Sequence, residues 1–206
     1  MKITENDIVF LRSELSKFIS GKRLTHSLAV EEEAARLGEL FGLSKQTVFK
    51  LRVCAILHDI TKEKDTDAQI ALCKEFGYKV SAEDVISPKV FHSVTGAFLA
   101  KKLYGRYVCR TVFNGIKYHT TGRENMTLFE KLVYLADYIE PTRTFEDCVK
   151  LREYFYGASD FTLLHLNETL LLSYDMTVRN LLDEGKCVHS ATIKARNYLI
   201  FERNKI

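Results

Sequence analysis

The chemistry this chain can do is concentrated in its histidines and in the acids beside them. The stretch Val53-Cys54-Ala55-Ile56-Leu57-His58-Asp59-Ile60-Thr61-Lys62 carries an apolar run straight into a His-Asp doublet, and a lysine follows one turn later. Read as a helix, Val48, Leu51, Ala55 and His58 share one face, so the imidazole continues a buried stripe. An ionised Asp at the end of such a stripe is costly unless a partner compensates it, and a cation compensates a His and an Asp together. The rest of the chain offers matching ligands. His26 heads the stripe Val30, Ala34, Leu37, Phe41; His92 heads Gly96, Leu99, Leu103; His119 ends Val108, Val112, Gly115; and Asp137 lies one turn beyond Val133. Separate helices therefore each place a His or an Asp at or near the end of an inward face, and one shared cation explains the pattern. A lone His on an apolar face is usually a core residue. His165, in Leu163-Leu164-His165-Leu166 with no polar company, is read that way.

Imidazoles with carboxylates and no thiolate suit Fe, Mn, Zn, Co or Ni. A set of His26, His58, Asp59 and Asp137 leaves open positions on a six-coordinate ion for a water and a substrate oxygen. The metal lowers the pKa of that water and neutralises charge developing on a phosphoryl group, so a metal-bound hydroxide is the expected nucleophile. Lys62, one turn beyond Asp59, Arg23, one turn before His26, and Arg143, after Asp137, are candidates to clamp phosphates. His92 and His119 are open between a second metal, a phosphate contact and help to the nucleophile. The chemistry indicated is metal-assisted hydrolysis of a phosphate ester or anhydride.

These residues need long helices to position them, and the composition permits that. Two prolines and ten glycines in 206 residues leave room for uninterrupted helices, and 46% hydrophobic residues suffice for one core. The expectation is an all-α chain with a single domain over residues 1–206, the first 19 forming an entry segment. An entry helix over 5–20 points Ile8, Leu11, Leu15 and Phe18 inward. A second helix opens at Lys22 and runs to Gly42; Ser44 caps a third, which ends at the doublet. A short helix over 68–76 is followed by a loop closed by Pro88. Helices then run from His92 to Gly105 and on to His119. Thr127 and Glu130 form a capping-box pattern before the helix that carries Asp137 and stops at Glu140-Pro141. Two more helices cover roughly 160–184 and 190 to the end, with Ser190 capping the last. Glu31-Glu32-Glu33 reads as a solvated face.

The net charge of +3 argues neither for nor against nucleic acid, and a small anionic substrate needs only a local basic cluster. Tyr and Phe do not alternate with basic residues as a stacking platform for single strands would require, so nucleic acid is not the expected partner. No apolar run approaches a membrane span, and the N-terminal residues do not read as a signal peptide. Five scattered cysteines without a C-x-x-C suggest free buried thiols in a reducing cytoplasm.

The blocks Arg23-Leu24-Thr25-His26-Ser27-Leu28, Ala55-Ile56-Leu57-His58-Asp59-Ile60-Thr61-Lys62, Phe91-His92-Ser93-Val94-Thr95-Gly96-Ala97, Tyr118-His119-Thr120-Thr121-Gly122-Arg123, Leu132-Val133-Tyr134-Leu135-Ala136-Asp137-Tyr138-Ile139-Glu140-Pro141 and Thr192-Ile193-Lys194-Ala195-Arg196-Asn197-Tyr198-Leu199 resemble, in this order, the YqeK family of HD-domain phosphohydrolases. The resemblance covers about residues 20–200. It implies an HD-domain helical bundle and a symmetrical dinucleoside tetraphosphatase that cuts diadenosine tetraphosphate into two ADP, with iron as the metal. By that analogy His26, His58, Asp59 and Asp137 hold the metal; Arg23, Lys62, His92, His119 and Arg143 handle the phosphates; and residues 188–193, with His189 and Thr192, lie beside a nucleoside. Asp59, Lys62 and His119 are then the catalytic candidates. Phe91 stands where the family more often has Trp, and Ser190 where Pro is common. A homodimer is compatible with the resemblance, though nothing in the sequence locates an interface. Two rival readings are another HD phosphohydrolase acting on deoxynucleotides or a cyclic dinucleotide, and a non-catalytic nucleotide-binding or RNA-associated regulator.

Overall fold

The computed structural model describes residues 2–204, and among them there are α-helices and one 3-10 turn but no strand. α1 (Glu5–Leu15) opens on a capping box between Thr4 and Asp7 and buries Ile8, Leu11 and Leu15, as its periodicity dictates. α2 (Gly21–Leu40) carries His26 near its start. α3 (Lys45–Leu57) is capped by the Ser44 hydroxyl, which accepts from the Thr47 amide, and ends where His58 takes the C-cap position. α4 (Thr66–Glu75) is capped by Asp65. The segment after it, expected as loop, contains α5 (Ala82–Ile86) and a 3-10 turn (Pro88–Val90) that leads into α6 (Phe91–Tyr104). At five residues α5 is too short for hydrophobic periodicity to reveal, although its Ser81/Asp84 capping box is a sequence signal. α7 (Arg110–Tyr118) and α8 (Leu128–Ile139) follow, the latter opened by the expected Thr127/Glu130 box. α9 (Glu146–Tyr156) was not expected. Its inward set is only Cys148, Leu151 and Phe155. α10 (Leu163–Asp183) and α11 (Ser190–Arg203) complete the chain. His189, not Ser190, caps α11: its Nδ1 accepts from the Ala191 amide, while the Ser190 hydroxyl donates to Glu83.

One continuous apolar core runs from Ile3 to Leu199. α2 packs against α3 and α8, α7 packs against α3, α6 and α8, and α10 rests on α9 and α11. Close approach needs glycine at two places. A Cβ on Gly96 would lie 3.2 Å from the His58 carbonyl, so its absence lets α6 press against the doublet. Gly122 has φ +66°, and a Cβ there would come within 1.9 Å of the buried Tyr174 hydroxyl oxygen. This glycine closes the turn that follows His119.

The acidic triplet departs from expectation. Only Glu32 is exposed. Glu31 is fully buried and accepts from Arg12 Nε at 2.5 Å and Arg52 Nε at 2.7 Å, tying α2 to α1 and α3. Glu33 is buried and accepts from the Tyr156 hydroxyl of α9. A buried carboxylate is tolerated when such donors satisfy it, and its donors lie far along the chain, beyond the reach of a local pattern. All five cysteines are free, but Cys109 and Cys187 are exposed rather than buried. His165 donates from Nε2 to the Phe155 carbonyl at 2.9 Å, in keeping with a structural role.

Candidate metal centre and flanking cavities

The ends of α2, α3, α6, α7 and α8 meet at one place, and the side chains singled out in the sequence meet there too. His26 Nε2 lies 3.0 Å from Asp137 Oδ1 and 3.8 Å from Asp59 Oδ2. His58 Nε2 lies 3.4 Å from Asp59 Oδ2 and 3.6 Å from Asp137 Oδ1. The other oxygen of Asp59 faces a second pair of imidazoles: Oδ1 is 3.3 Å from His92 Nε2 and 3.7 Å from His119 Nε2, which are themselves 3.0 Å apart. Ligand atoms of His26, His58 and Asp59, of His58, His119 and Asp137, and of Asp59, His92 and His119 each lie within 4.8 Å of one another.

The protonation of this cluster follows from local geometry. His58 Nδ1 donates to the Ala55 carbonyl at 2.6 Å, His92 Nδ1 to the Lys89 carbonyl at 2.6 Å, and His119 Nδ1 to the Ile116 carbonyl at 2.7 Å. Each ring thus bonds the carbonyl three residues before it. A carbonyl only accepts, so the proton sits on Nδ1 and the lone pair on Nε2. His26 reaches the same tautomer by another route, since its Nδ1 donates to Glu140 Oε1 at 3.0 Å. Burial opposes the charge on Glu140, but the hydrogen bonds from His26 and from the Thr142 hydroxyl and amide hold its carboxyl below the usual range. Four Nε2 lone pairs therefore face carboxylate oxygens or each other. His26 Nε2, His58 Nε2 and Asp59 Oδ1 are buried with no hydrogen-bond partner.

Buried acceptors facing acceptors are repulsive unless positive charge lies between them. The surroundings of His58 follow the same electrostatics. Burial alone would lower its pKa, yet Asp59 and Asp137 overcome burial and lift it to about 10. Burial likewise disfavours the charge on Asp59, but His58, His119 and Lys62 outweigh it and hold that carboxyl well below its ordinary value. His92 is pulled well below 6.5 by burial, Lys62 and His119, and His119 is lowered mainly by burial. Oxygen and neutral imidazole donors converging without thiolate fit a divalent first-row cation. Glu140 completes a carboxylate–imidazole relay of the kind that orients a metal-ligating His. From sequence Glu140 reads only as the residue that ends its helix before Pro141. The signal available was its place three residues after Asp137, on the same helix face.

Cations surround the cluster. Arg23 donates from Nη1 to Asp59 Oδ2 at 2.7 Å, and Arg143 from Nη2 to Asp137 Oδ1 at 2.8 Å. Lys62 Nζ lies 3.1 Å from His92 Nε2 and 4.0 Å from Asp59 Oδ1. Burial lowers the Lys62 pKa, partly offset by Asp59 and Asp137. A hydroxyl network holds the turn behind Lys62: Thr61 donates to the His92 carbonyl at 3.0 Å, and Gln69 donates to the Thr61 carbonyl at 2.6 Å.

His189 and Thr192 are not gathered into this cluster. They line a cavity of about 430 Å³ with Lys89, Thr120, Leu181 and Lys186. That cavity reaches the centre through Thr120, whose hydroxyl lies 3.1 Å from His92 Nε2. His189 is held by Asp84, with Nε2 3.2 Å from Oδ1. A second cavity of about 490 Å³ opens over the other side of the centre, on His26, Arg23 and Arg143. No helix among the described residues is long and apolar enough to cross a membrane.

Comparison with known proteins accords with this geometry. The family model for the HD domain matches residues 23–142. The chain is 32% identical to a symmetrical bis(5'-nucleosyl)-tetraphosphatase of Halalkalibacterium halodurans, over 88% of this chain and 90% of that protein. It is 31% identical to the protein of the same name in Staphylococcus aureus, over 90% of each. A crystal structure from Clostridium acetobutylicum, described as a predicted HD superfamily hydrolase involved in NAD metabolism, superposes with a TM-score of 0.84 at 35% identity, over 98% of this chain and all of that one.

Proposed function

The chain belongs to the HD domain family and, within it, to the family of symmetrical bis(5'-nucleosyl)-tetraphosphatases, and from that premise we propose that it hydrolyses diadenosine tetraphosphate and its analogues at the middle of the phosphate chain. The observation that carries this reading is the buried set of partnerless Nε2 and carboxylate atoms ringed by Arg23, Arg143 and Lys62. His26, His58, Asp59 and Asp137 would hold a divalent cation, with iron the first candidate among Fe, Mn, Co, Ni and Zn. Bound there, it would supply an acidified water and offset charge on phosphoryl oxygens.

The residues of the chain divide the remaining work. Arg23 and Arg143 each spend one amino group on a ligand carboxylate and keep other N–H donors for phosphate oxygens. Asp59 Oδ1, buried and unpartnered, orients the attacking water. The Nε2 atoms of His92 and His119, 3.3 and 3.7 Å from Oδ1, hold that water by hydrogen bonds on the same side of the carboxylate. A nucleoside diphosphate is a good leaving group and needs charge more than a proton; Lys62 and Arg143 supply that charge. His189 and Thr192 border the 430 Å³ cavity that receives the nucleoside of one half.

One observation favours a variation on this scheme. The facing Nε2 atoms of His92 and His119, with Asp59 Oδ1, form a second donor set, which would hold a second cation. Metal-to-protein stoichiometry of one or two decides between these states. Product analysis tests the activity itself. ADP alone from diadenosine tetraphosphate is the expected result, whereas AMP with ATP would reject cleavage at the middle.

A further inference from the structure

A substrate with two nucleosides, cut at its centre, must seat a nucleoside diphosphate on each side of the attacked phosphorus. The two oxygens of Asp59 define two sides of the centre. Oδ1 faces His92 and His119, where the 430 Å³ cavity with His189 and Thr192 adjoins. Oδ2 faces His26, His58 and Arg23, where the 490 Å³ cavity adjoins. We propose that this second cavity, walled by the ring of Phe145, is the subsite for the other nucleoside diphosphate, with the base stacked on that ring. This inference rests on the tetraphosphatase reading and assigns the half of the substrate which that reading leaves unplaced.

The chemistry of the cavity suits that occupant. Lys22, Arg23 and Arg143 supply three cations beside the centre for the two phosphates of the half. Thr25, Thr142 and Thr144 supply hydroxyls beyond them. Phe145 is 71% exposed, more than any other large apolar side chain among the described residues. An isolated exposed ring is ordinary. This one forms part of a cavity that also reaches His26 and Arg143. Its backbone is anchored, because the Phe145 carbonyl accepts from the Val149 amide at 3.0 Å in the first turn of α9. Arg152 of the same helix donates to the carbonyls of Ile139 at 2.6 Å, Glu140 at 2.5 Å and Arg143 at 2.9 Å. The backbone that carries the ring is thus tied to the end of α8, which carries Asp137. An exposed aromatic face beside phosphate-binding cations recognises a purine or pyrimidine base without demanding one base in particular. α9, which sequence periodicity did not reveal, is then the element that presents the second base platform.

The test compares kcat/KM for diadenosine tetraphosphate with that for adenosine 5'-tetraphosphate, which has the same phosphate chain but one nucleoside. The ratio is the readout, since general damage to the centre lowers both values together. The wild-type protein should favour the dinucleoside substrate by about tenfold, the scale of one base–aromatic stack. Phe145→Ala should bring the ratio close to one, and Phe145→Trp should restore it. A ratio near one in the wild type, or a preference that survives in Phe145→Ala, overturns the subsite while leaving the tetraphosphatase reading in place. Failure of the wild type to cleave either compound, with metal supplied, overturns both.

Discussion

Glu140 offers the sharpest perturbation because it touches the centre through a single imidazole. Its Oε1 accepts from His26 Nδ1 at 3.0 Å and from the Thr142 hydroxyl at 2.7 Å, while Oε2 accepts from the Thr142 amide at 2.6 Å. The side chain is fully buried. Glu140→Gln keeps the shape and removes the charge. His26 then loses a charge-assisted hydrogen bond that fixes its tautomer and raises the basicity of Nε2. Loss of such an outer partner costs about 10- to 100-fold in metal affinity, or ~1.4–2.7 kcal/mol. The assay is chelator competition on protein loaded anaerobically with iron and, separately, with manganese, followed by turnover at saturating metal. The expected outcome is weaker metal binding by that factor, with kcat at saturating metal lowered far less than affinity. Wild-type metal affinity in Glu140→Gln would refute the argument that His26 Nε2 is a ligand atom set by Glu140.

Three further outcomes follow from the same contacts. Asp59→Ala removes the carboxylate that faces all four imidazoles, so metal content and turnover should vanish together; full activity in that variant would remove the metal mechanism. Gly122→Ala places a methyl group against Tyr174 at positive φ and should cost about 2–4 kcal/mol. The corresponding drop in Tm is roughly 5–12 °C, and an unchanged Tm would contradict the crowding. Glu33 is raised above 4.5 by burial, which outweighs the Tyr156 hydrogen bond, so its stabilising effect is present below 4.5 and is lost as pH rises through the folded-state value. Glu33→Gln should therefore raise Tm at pH 7 relative to wild type but not at pH 4. An equal shift at both pH values would contradict the assigned cause.

The parts of this molecule that could be read from sequence are those whose cause is local. The inward stripes of α1, α2, α3 and α8 placed Ile8, Leu11, Leu15, His26, His58 and Asp137 correctly. The capping box at Thr127 marked its helix as the physics of orphan amides requires. What escaped has causes distant in sequence. Glu31 is buried because Arg12 and Arg52 arrive from two other helices, and Glu33 because Tyr156 arrives from α9. Glu140 becomes part of the site only when α2 lies against α8 and brings His26 to it, 114 residues away. α9 is amphipathic over too narrow a face to stand out, yet Arg152 and Phe145 give it a place beside the centre. The histidine tautomers were legible in principle, since three of the four bond the carbonyl three residues back. Each of those three histidines sits at a helix end or in its first turn.

The claim on which all of this depends is that imidazoles and carboxylates from separate helices share one cation. Anomalous diffraction at the metal absorption edge, on crystals grown from anaerobically prepared protein, tests it most directly. The account predicts a peak within about 2.0–2.3 Å of the Nε2 atoms of His26 and His58 and of oxygens of Asp59 and Asp137. A fully loaded, active crystal with no peak among those four residues would contradict it.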